Sequence, residues 1–216
     1  MDDPHADQPV ETAGASLADA RAAVVLTHGR GATAKGMLGL ARELDVDGVA
    51  FRAPQAARHT WYPDRFTAPI ESNEPWLSSA LAFLEREVET VRNAGLRRQQ
   101  LVFVGFSQGG CLAAEFVARN ATRYGGLAVL SGGLIGPEGT DFEYDGSLEA
   151  TPAFLGCGDG DPHIPVERVH ETRDALDQLD AEVTERIYDG LGHTVNRDEL
   201  DNVERIITTT TGGVSV

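Results

Sequence analysis

The sequence contains almost no lysine, although it is rich in charge. Of its 18 basic residues only Lys35 is a lysine, whereas 34 residues are acidic, so the 216-residue chain has a formal net charge of −16. Two interpretations remain open. The chain is a halophile-like protein, whose dense carboxylates hold water while salt screens their mutual repulsion, or it is an ordinary acidic protein from a GC-rich genome, in which arginine replaces lysine. Both argue against nucleic acids and anionic lipid surfaces as partners, since these carry negative charge themselves.

Cysteine is also scarce. The two cysteines, Cys111 and Cys157, lie in apolar stretches, and we expect both to be buried free thiols rather than a disulfide framework. No set of cysteines and histidines has the spacing of a zinc site. We therefore predict an activity that needs neither a metal nor another cofactor.

Long hydrophobic runs are missing too. No run reaches the roughly 18 residues of a membrane span, and the acidic start of the chain lacks the apolar core of a secretory signal. We therefore expect a cytoplasmic protein without a membrane span. The length fits one domain. Residues 1–15 are polar and rich in small residues, which predicts a flexible N-terminal arm before a single domain over residues 16–216.

From residue 22 onward, short apolar segments alternate with amphipathic ones. Strands are predicted over residues 22–27, 49–52, 101–104, 127–130, 153–155 and 183–188, and helices over residues 33–44, 76–93, 108–120, 165–180 and 197–209. This alternation predicts an α/β fold, with a mostly parallel sheet covered by helices on both faces. A ligand site is then expected outside the carboxyl ends of the strands. The longest loops, 53–75 and 132–150, are too short to form a cap domain.

The strongest motif is Gly105–Gly109, with the sequence Gly-Phe-Ser-Gln-Gly. It follows a predicted strand directly and precedes a predicted helix, which is the context of a nucleophile elbow. Glycines on either side of the serine allow the strand and the helix to approach closely. We predict that Ser107 is a catalytic nucleophile rather than a residue of a structural turn.

A nucleophilic serine needs a base and a carboxylate. His193 follows the last predicted strand on a glycine-rich loop, which fits the chain order Ser, Asp, His of α/β-hydrolases. His163, on another loop at a carboxyl end, is its rival for the base and a candidate to line the substrate pocket. Asp161 and Asp159 compete for the third position. Asp161 is favoured because the following Pro162 can fix the turn that aims its carboxylate.

A second glycine-rich segment, His28-Gly29-Arg30-Gly31, ends the first predicted strand. In folds of this kind the corresponding loop supplies one backbone N–H group of the oxyanion hole, and the residue after the nucleophile supplies the other. The predicted donors are the backbone N–H groups of Arg30 and Gln108. The alternative is a plain glycine turn.

These motifs together resemble the phospholipase/carboxylesterase family of α/β-hydrolases, which includes the acyl-protein thioesterases. The family carries H-G-x-G, G-F-S-Q-G, D-x-x-x-P and a late G-x-x-H. The matching residues here are 28–31, 105–109, 161–165 and 190–193. The resemblance covers residues 20–205, favours Asp161 over Asp159 and implies hydrolysis of esters or thioesters. Arg30 departs from the pattern, since many members have an apolar residue there.

Candidates for the substrate pocket come from the two long loops. Trp61, Tyr62 and Phe66 on the first loop, and Leu134 and Ile135 on the second, could form an apolar wall beside Ser107. For the three aromatic residues the alternative is packing of the loop onto the core. The side chain of Arg30 could bind a carboxylate or phosphate of the substrate, or contribute nothing beyond its backbone N–H group.

Three classes of function remain open. The first is a serine esterase or thioesterase that acts on a small-molecule substrate. The second uses the same triad for another acyl transfer or for ring opening, as in the dienelactone hydrolases. A cysteine at the nucleophile position would favour the dienelactone hydrolases proper, whereas this chain has a serine there. The third is a binding protein without turnover, which the complete set Ser107, Asp161 and His193 disfavours. A homodimer is compatible with the sequence.

The net charge makes a prediction about salt. If the chain is adapted to high salt, its melting temperature should rise with KCl from dilute buffer to molar concentrations. Tens of millimolar salt already shorten the Debye length to roughly 10–20 Å, so a gain that continues far beyond that range indicates effects of ions and hydration. A melting temperature that is flat or falls across the range contradicts the high-salt interpretation. Circular dichroism thermal scans measure it.

Overall fold

The computed structural model describes residues 3–212 and contains one seven-stranded sheet in the order β1-β3-β2-β4-β5-β6-β7. Strand β1 is antiparallel to β3, and all other neighbours are parallel. The strands are β1 Val10–Gly14, β2 Ala22–Thr27, β3 Val49–Pro54, β4 Leu101–Phe106, β5 Gly126–Leu130, β6 Pro152–Gly158 and β7 Glu182–Tyr188. The predicted mostly parallel α/β fold is confirmed.

Five α-helices cover the two faces of this sheet within the described residues. They are α1 Ala34–Ala41, α2 Trp76–Asn93, α3 Gln108–Arg119, α4 Val166–Gln178 and α5 Arg197–Gly212. Helices α2, α3 and α4 pack on one face and α1 and α5 on the other, because alternate residues of the buried strands point to opposite sides. No helix among residues 3–212 combines the length and the apolar composition that crossing a bilayer requires.

The predicted flexible arm over residues 1–15 is wrong for residues 3–14. Val10–Gly14 is an edge strand, and the side chain of His5 is fully buried. His5 donates its backbone N–H to Ser79 Oγ, and its ring Nδ1 accepts the N–H of Ala57. The hydropathy pattern of the sequence did not reveal this strand, because an antiparallel edge strand buries only part of one face. Residues 1–2 of the arm, and 213–216 of the predicted domain, lie outside the described residues.

Both cysteines are buried free thiols, as predicted. Cys111 lies in the first turn of α3, and Cys157 lies near the end of β6. Burial raises the pKa of the Cys111 thiol to about 11 and that of Cys157 to about 12. Both thiols are therefore protonated near neutral pH.

The carboxyl ends of the parallel strands place the sequence motifs along one edge of the sheet. The loop after β2 carries residues 28–31, the turn after β4 carries Ser107, and the loops after β6 and β7 carry residues 159–165 and 189–196. Because β2, β4, β5, β6 and β7 are successive neighbours, these segments meet above the middle of the sheet.

Close approach of β2, β4 and α3 depends on two glycines. A Cβ atom on Gly109 would lie 2.1 Å from the carbonyl oxygen of Thr27, and one on Gly105 would lie 2.4 Å from that of Gly109. Both contacts are with backbone atoms, which cannot rotate away. Any side chain at either position would therefore force the strand and the helix apart.

We predict that Gly109→Ala destabilises the fold, by at least the roughly 1–3 kcal/mol typical of overpacked cores. Gly39→Ala is the matched control, since Gly39 lies in α1 and its added Cβ would meet nothing within 4 Å. A gain of up to about 1 kcal/mol is expected there, because alanine is the better helix former. Urea unfolding of both variants measures the difference, and equal stability of the two would contradict the packing argument.

Candidate active site

Ser107 occupies a strained turn between β4 and α3. Its φ of 56° and ψ of −123° are rare for a residue with a side chain. The turn is fixed on both sides, because the Ser107 N–H donates to Leu130 O and the Ser107 carbonyl accepts the N–H of Cys111. The hydroxyl consequently stands at the N-terminus of α3, where the helix dipole favours negative charge.

His193 joins Ser107 to Asp161 through its two ring nitrogens. Its Nε2 lies 2.9 Å from Ser107 Oγ, and its Nδ1 lies 2.6 Å from Asp161 Oδ2. The ring packs against that of Phe106, with centroids 4.9 Å apart. The side chain is 20 % exposed, so it is held firmly but can still be reached by a small substrate.

The carboxylate of Asp161 is completely enclosed. Its Oδ1 accepts the backbone N–H groups of His163 at 2.8 Å and Ile164 at 3.2 Å, while its Oδ2 faces His193. Burial by itself raises the pKa of Asp161, but the hydrogen bonds from His193 and from the two backbone N–H groups outweigh it and leave this pKa below its usual value. The group is therefore a carboxylate at neutral pH.

The two rivals for these positions have other contacts. Asp159 Oδ1 accepts the N–H of Gly190 at 2.7 Å and thereby ties the loop after β6 to the loop that carries His193. His163 packs edge-on against His193, with ring centroids 4.8 Å apart. Among the described residues, neither has a side-chain hydrogen bond to Ser107.

The two predicted oxyanion donors, Arg30 and Gln108, belong to segments next to Ser107. A Cβ on Gly29 would lie 3.3 Å from Ser107 Cβ, so the loop after β2 runs directly beside the nucleophile turn. Gln108 is the first residue of α3, whose N–H has no intrahelical acceptor. Neither N–H donates to another protein group within residues 3–212. Both are free to bind a ligand oxygen.

A cavity of about 710 Å³ opens at Ser107 and His193. Of the residues that the sequence suggests for substrate binding, Arg30, Tyr62, Phe66 and His163 line it. Three polar residues of the lining, Asp64, Arg65 and Thr67, were not suggested by the sequence. The remaining lining residues are Pro63, Gln108, Cys111, Asp161, Pro162, Ile164 and Pro165.

Three predicted pocket residues lie elsewhere. Trp61 is fully buried in the core, where its indole N–H donates to His28 O at 2.8 Å. Leu134 and Ile135 are buried in the same core, and their N–H groups donate to Thr172 Oγ1 and Glu115 Oε2. The buried N–H groups of these segments are thus satisfied, and the apolar pattern of the loops does not distinguish core packing from a pocket wall.

A buried arginine that the sequence did not single out supports the wall of the cavity. Arg168 on α4 is only 4 % exposed, and its guanidinium lies 5.5 Å from the ring centroid of Phe66. It donates to Leu134 O at 2.7 Å and Gly136 O at 2.9 Å. In addition, the Gly136 N–H donates to Phe66 O. Arg168 thus holds both long loops together, a role with no local sequence signal.

Glu199 fixes the chain just beyond His193. Its Oε2 accepts the Asn196 N–H at 2.7 Å, and its own N–H donates to Asn196 Oδ1 at 3.0 Å. This reciprocal pair closes the start of α5. Burial raises the pKa of Glu199 to about 7. The His193 loop is therefore anchored at Asp159 before the histidine and at Glu199 after it.

Comparison with known proteins gives consistent matches over nearly the whole chain. A family model described as Phospholipase/Carboxylesterase matches residues 14–211. Acyl-protein thioesterase 1 of Saccharomyces cerevisiae is 26 % identical, over 89 % of this chain and 94 % of that protein. A solved phospholipase/carboxylesterase structure from Dyadobacter fermentans is 40 % identical, with a TM-score of 0.89, and the match covers 94 % of this chain and 97 % of that one. A probable inactive carboxylesterase of Oryza sativa subsp. japonica is 28 % identical, over 84 % of this chain and 82 % of that protein.

The two aspartates make separable predictions for hydrolysis of a 4-nitrophenyl ester. Asp161→Asn should lower kcat by on the order of 10⁴, as loss of the carboxylate does in well-studied triads. Asp159→Asn keeps an acceptor for Gly190 and is the matched control, so its loss should be far smaller. Steady-state kinetics on both folded variants measure the order. The larger loss in Asp159→Asn would mean that the wrong carboxylate has been assigned.

Proposed function

The chain belongs to the phospholipase/carboxylesterase family and is a carboxylic-ester hydrolase, and we propose that it cleaves esters or thioesters with a Ser107–His193–Asp161 triad. One observation carries this proposal. The hydrogen-bonded chain from Asp161 Oδ2 through both nitrogens of His193 ends on Ser107 Oγ, inside the cavity. Nucleophile, base and orienting carboxylate are then in contact before any substrate binds.

In this mechanism Ser107 Oγ attacks the carbonyl carbon while His193 Nε2 takes the hydroxyl proton. The carbonyl oxygen becomes an oxyanion, which the N–H groups of Arg30 and Gln108 would bind. The tetrahedral intermediate collapses, the bond to the leaving group breaks and His193 returns the proton to that group. Water then attacks the acyl-serine with the same base, which releases the acid and the free enzyme.

The charges around His193 support this sequence of events. Asp161 stays ionised because its pKa is held low, so it can stabilise the imidazolium that forms when His193 accepts the proton. Its enclosure by the N–H groups of His163 and Ile164 fixes the direction from which it acts. The N-terminus of α3 adds a favourable field for the oxyanion beside Ser107.

The substrate class follows from the cavity and the family. A site of about 710 Å³ lined by Tyr62, Phe66 and Ile164 has room for a small-molecule ester. Thioesters enter the proposal because acyl-protein thioesterases are among the relatives. We take the cytoplasm as the proposed location. A binding protein without turnover, the alternative suggested by the inactive rice relative, is disfavoured by the complete triad geometry.

A screen of 4-nitrophenyl esters and acyl thioesters of increasing chain length, at low and high KCl, tests the activity. Ser107→Ala should lower kcat by on the order of 10⁶, as in other serine hydrolases. Ser131→Ala is the matched control, because Ser131 also follows a strand with a positive φ, of 47°, but lies outside the triad. It should retain turnover.

Two results would count against the proposal. One is ester turnover that survives Ser107→Ala in a folded variant. The other is complete inhibition by EDTA that a divalent ion reverses, since the proposed steps need only side chains and water.

A further inference from the structure

We propose that the guanidinium of Arg30 is a positioning group of the oxyanion hole, which acts by holding residues 60–64 and not by binding the substrate. We call residues 60–64 the brace. The inference rests on the proposed function, in which the backbone N–H groups of Arg30 and Gln108 bind the oxyanion.

Both proposed donors use their side chains on the same short segment. Arg30 Nη1 donates to Pro63 O at 2.7 Å, and its Nη2 donates to Tyr62 O at 3.0 Å and to Asp64 O. Gln108 Oε1 accepts the Trp61 N–H at 3.0 Å, and its Nε2 donates to Tyr62 O at 2.8 Å. The brace therefore connects the loop after β2 to the N-terminus of α3, with Tyr62 O as the shared acceptor.

The backbone that follows Arg30 is tied to the residue just before the brace. The Gly31 N–H donates to His59 O at 2.7 Å, and His59 Nδ1 lies 3.0 Å from Ala32 O. Arg30 thus belongs to a small ring of contacts, closed by its own side chain. Opening that ring at the guanidinium would free the Arg30 peptide, whose N–H is a proposed oxyanion donor.

The brace itself is anchored in the protein, so it can hold Arg30 in place. The indole of Trp61 is buried and donates to His28 O, and the Asp64 N–H donates to Asn73 Oδ1 at 2.8 Å. An oxyanion donor must sit within about 0.5 Å of its working position before the reaction, since reorganisation during the step raises the barrier. A rigid brace meets that requirement.

The same contacts argue against an anion-binding role for Arg30. A carboxylate or phosphate pairs with arginine through two parallel N–H groups. Both bidentate edges of a guanidinium include Nη2, and both hydrogens of Arg30 Nη2 are taken by Tyr62 O and Asp64 O. Bidentate binding of a substrate anion would therefore have to break contacts that hold the brace.

The test compares Arg30→Met and Arg30→Lys with Arg21→Met, measured on an uncharged ester. Arg21 is the matched control, because it also binds a carbonyl, Asp47 O at 2.9 Å, but precedes the start of β2 at the far end of the strand. Loss of a whole oxyanion donor costs about 10²–10³ in kcat. Since the backbone N–H of residue 30 remains in the variant, Arg30→Met should lower kcat roughly 10- to 100-fold with little change in KM. Arg30→Lys should lower kcat less than Arg30→Met does, and Arg21→Met should have the kcat of the wild type.

A pair of substrates separates positioning from recognition of an anion. Monoethyl succinate and ethyl 4-methylpentanoate have nearly the same shape, and only the first carries a charge. The proposal expects Arg30→Met to lower kcat equally for both. A loss confined to monoethyl succinate, or a loss that appears in KM alone, would overturn it in favour of an anion subsite.

Hydrogen exchange tests, without any turnover, whether the side chain of Arg30 holds the brace in place. Arg30→Met should speed amide exchange in residues 59–65, the Trp61 N–H included, while Arg21→Met should not. Unchanged exchange there, or faster exchange with kcat unchanged, overturns the proposal. If the wild type hydrolyses no ester, the proposed function fails, whereas the exchange result still decides whether Arg30 holds the brace.

Discussion

The backbone of Ser107 is the constraint on which the site depends. A φ of 56° at a residue with a side chain costs of order 1–3 kcal/mol and persists only where the surroundings enforce it. Here the enforcement comes from hydrogen bonds to Leu130 and Cys111 and from the contact of Gly109 with Thr27. In this backbone conformation the hydroxyl projects above the sheet, where it lies within hydrogen-bond distance of His193 on the loop after β7.

The loops around Ser107 position the two other residues of the proposed triad next to it. The carboxyl ends of β6 and β7 bring Asp161 and His193 into contact, and Asp159 and Glu199 pin the two loops. The brace supports the proposed oxyanion donors from the opposite side. These segments surround a cavity whose walls include Phe66 and Ile164.

The sequence predicted the parts whose signal is local. The turn Gly105–Gly109 follows an apolar strand and precedes a helix, and the predicted α2 has the observed bounds Trp76–Asn93. What it missed depends on contacts distant in sequence. The strand Val10–Gly14 looks polar because one of its faces is open, and Trp61 looks like a pocket residue until the acceptor of its N–H is known. Arg168 and Arg30 act through carbonyl oxygens, which no side-chain pattern records.

If Ser107 is the nucleophile, an acyl or phosphonyl group should be transferred to its hydroxyl. Treatment of the native protein with a fluorophosphonate, followed by peptide mass spectrometry, tests it most directly. We expect one adduct per chain, on the peptide that contains Ser107, and its loss after competition with an ester substrate. An adduct on another residue, or no adduct in a protein that hydrolyses esters, would contradict it.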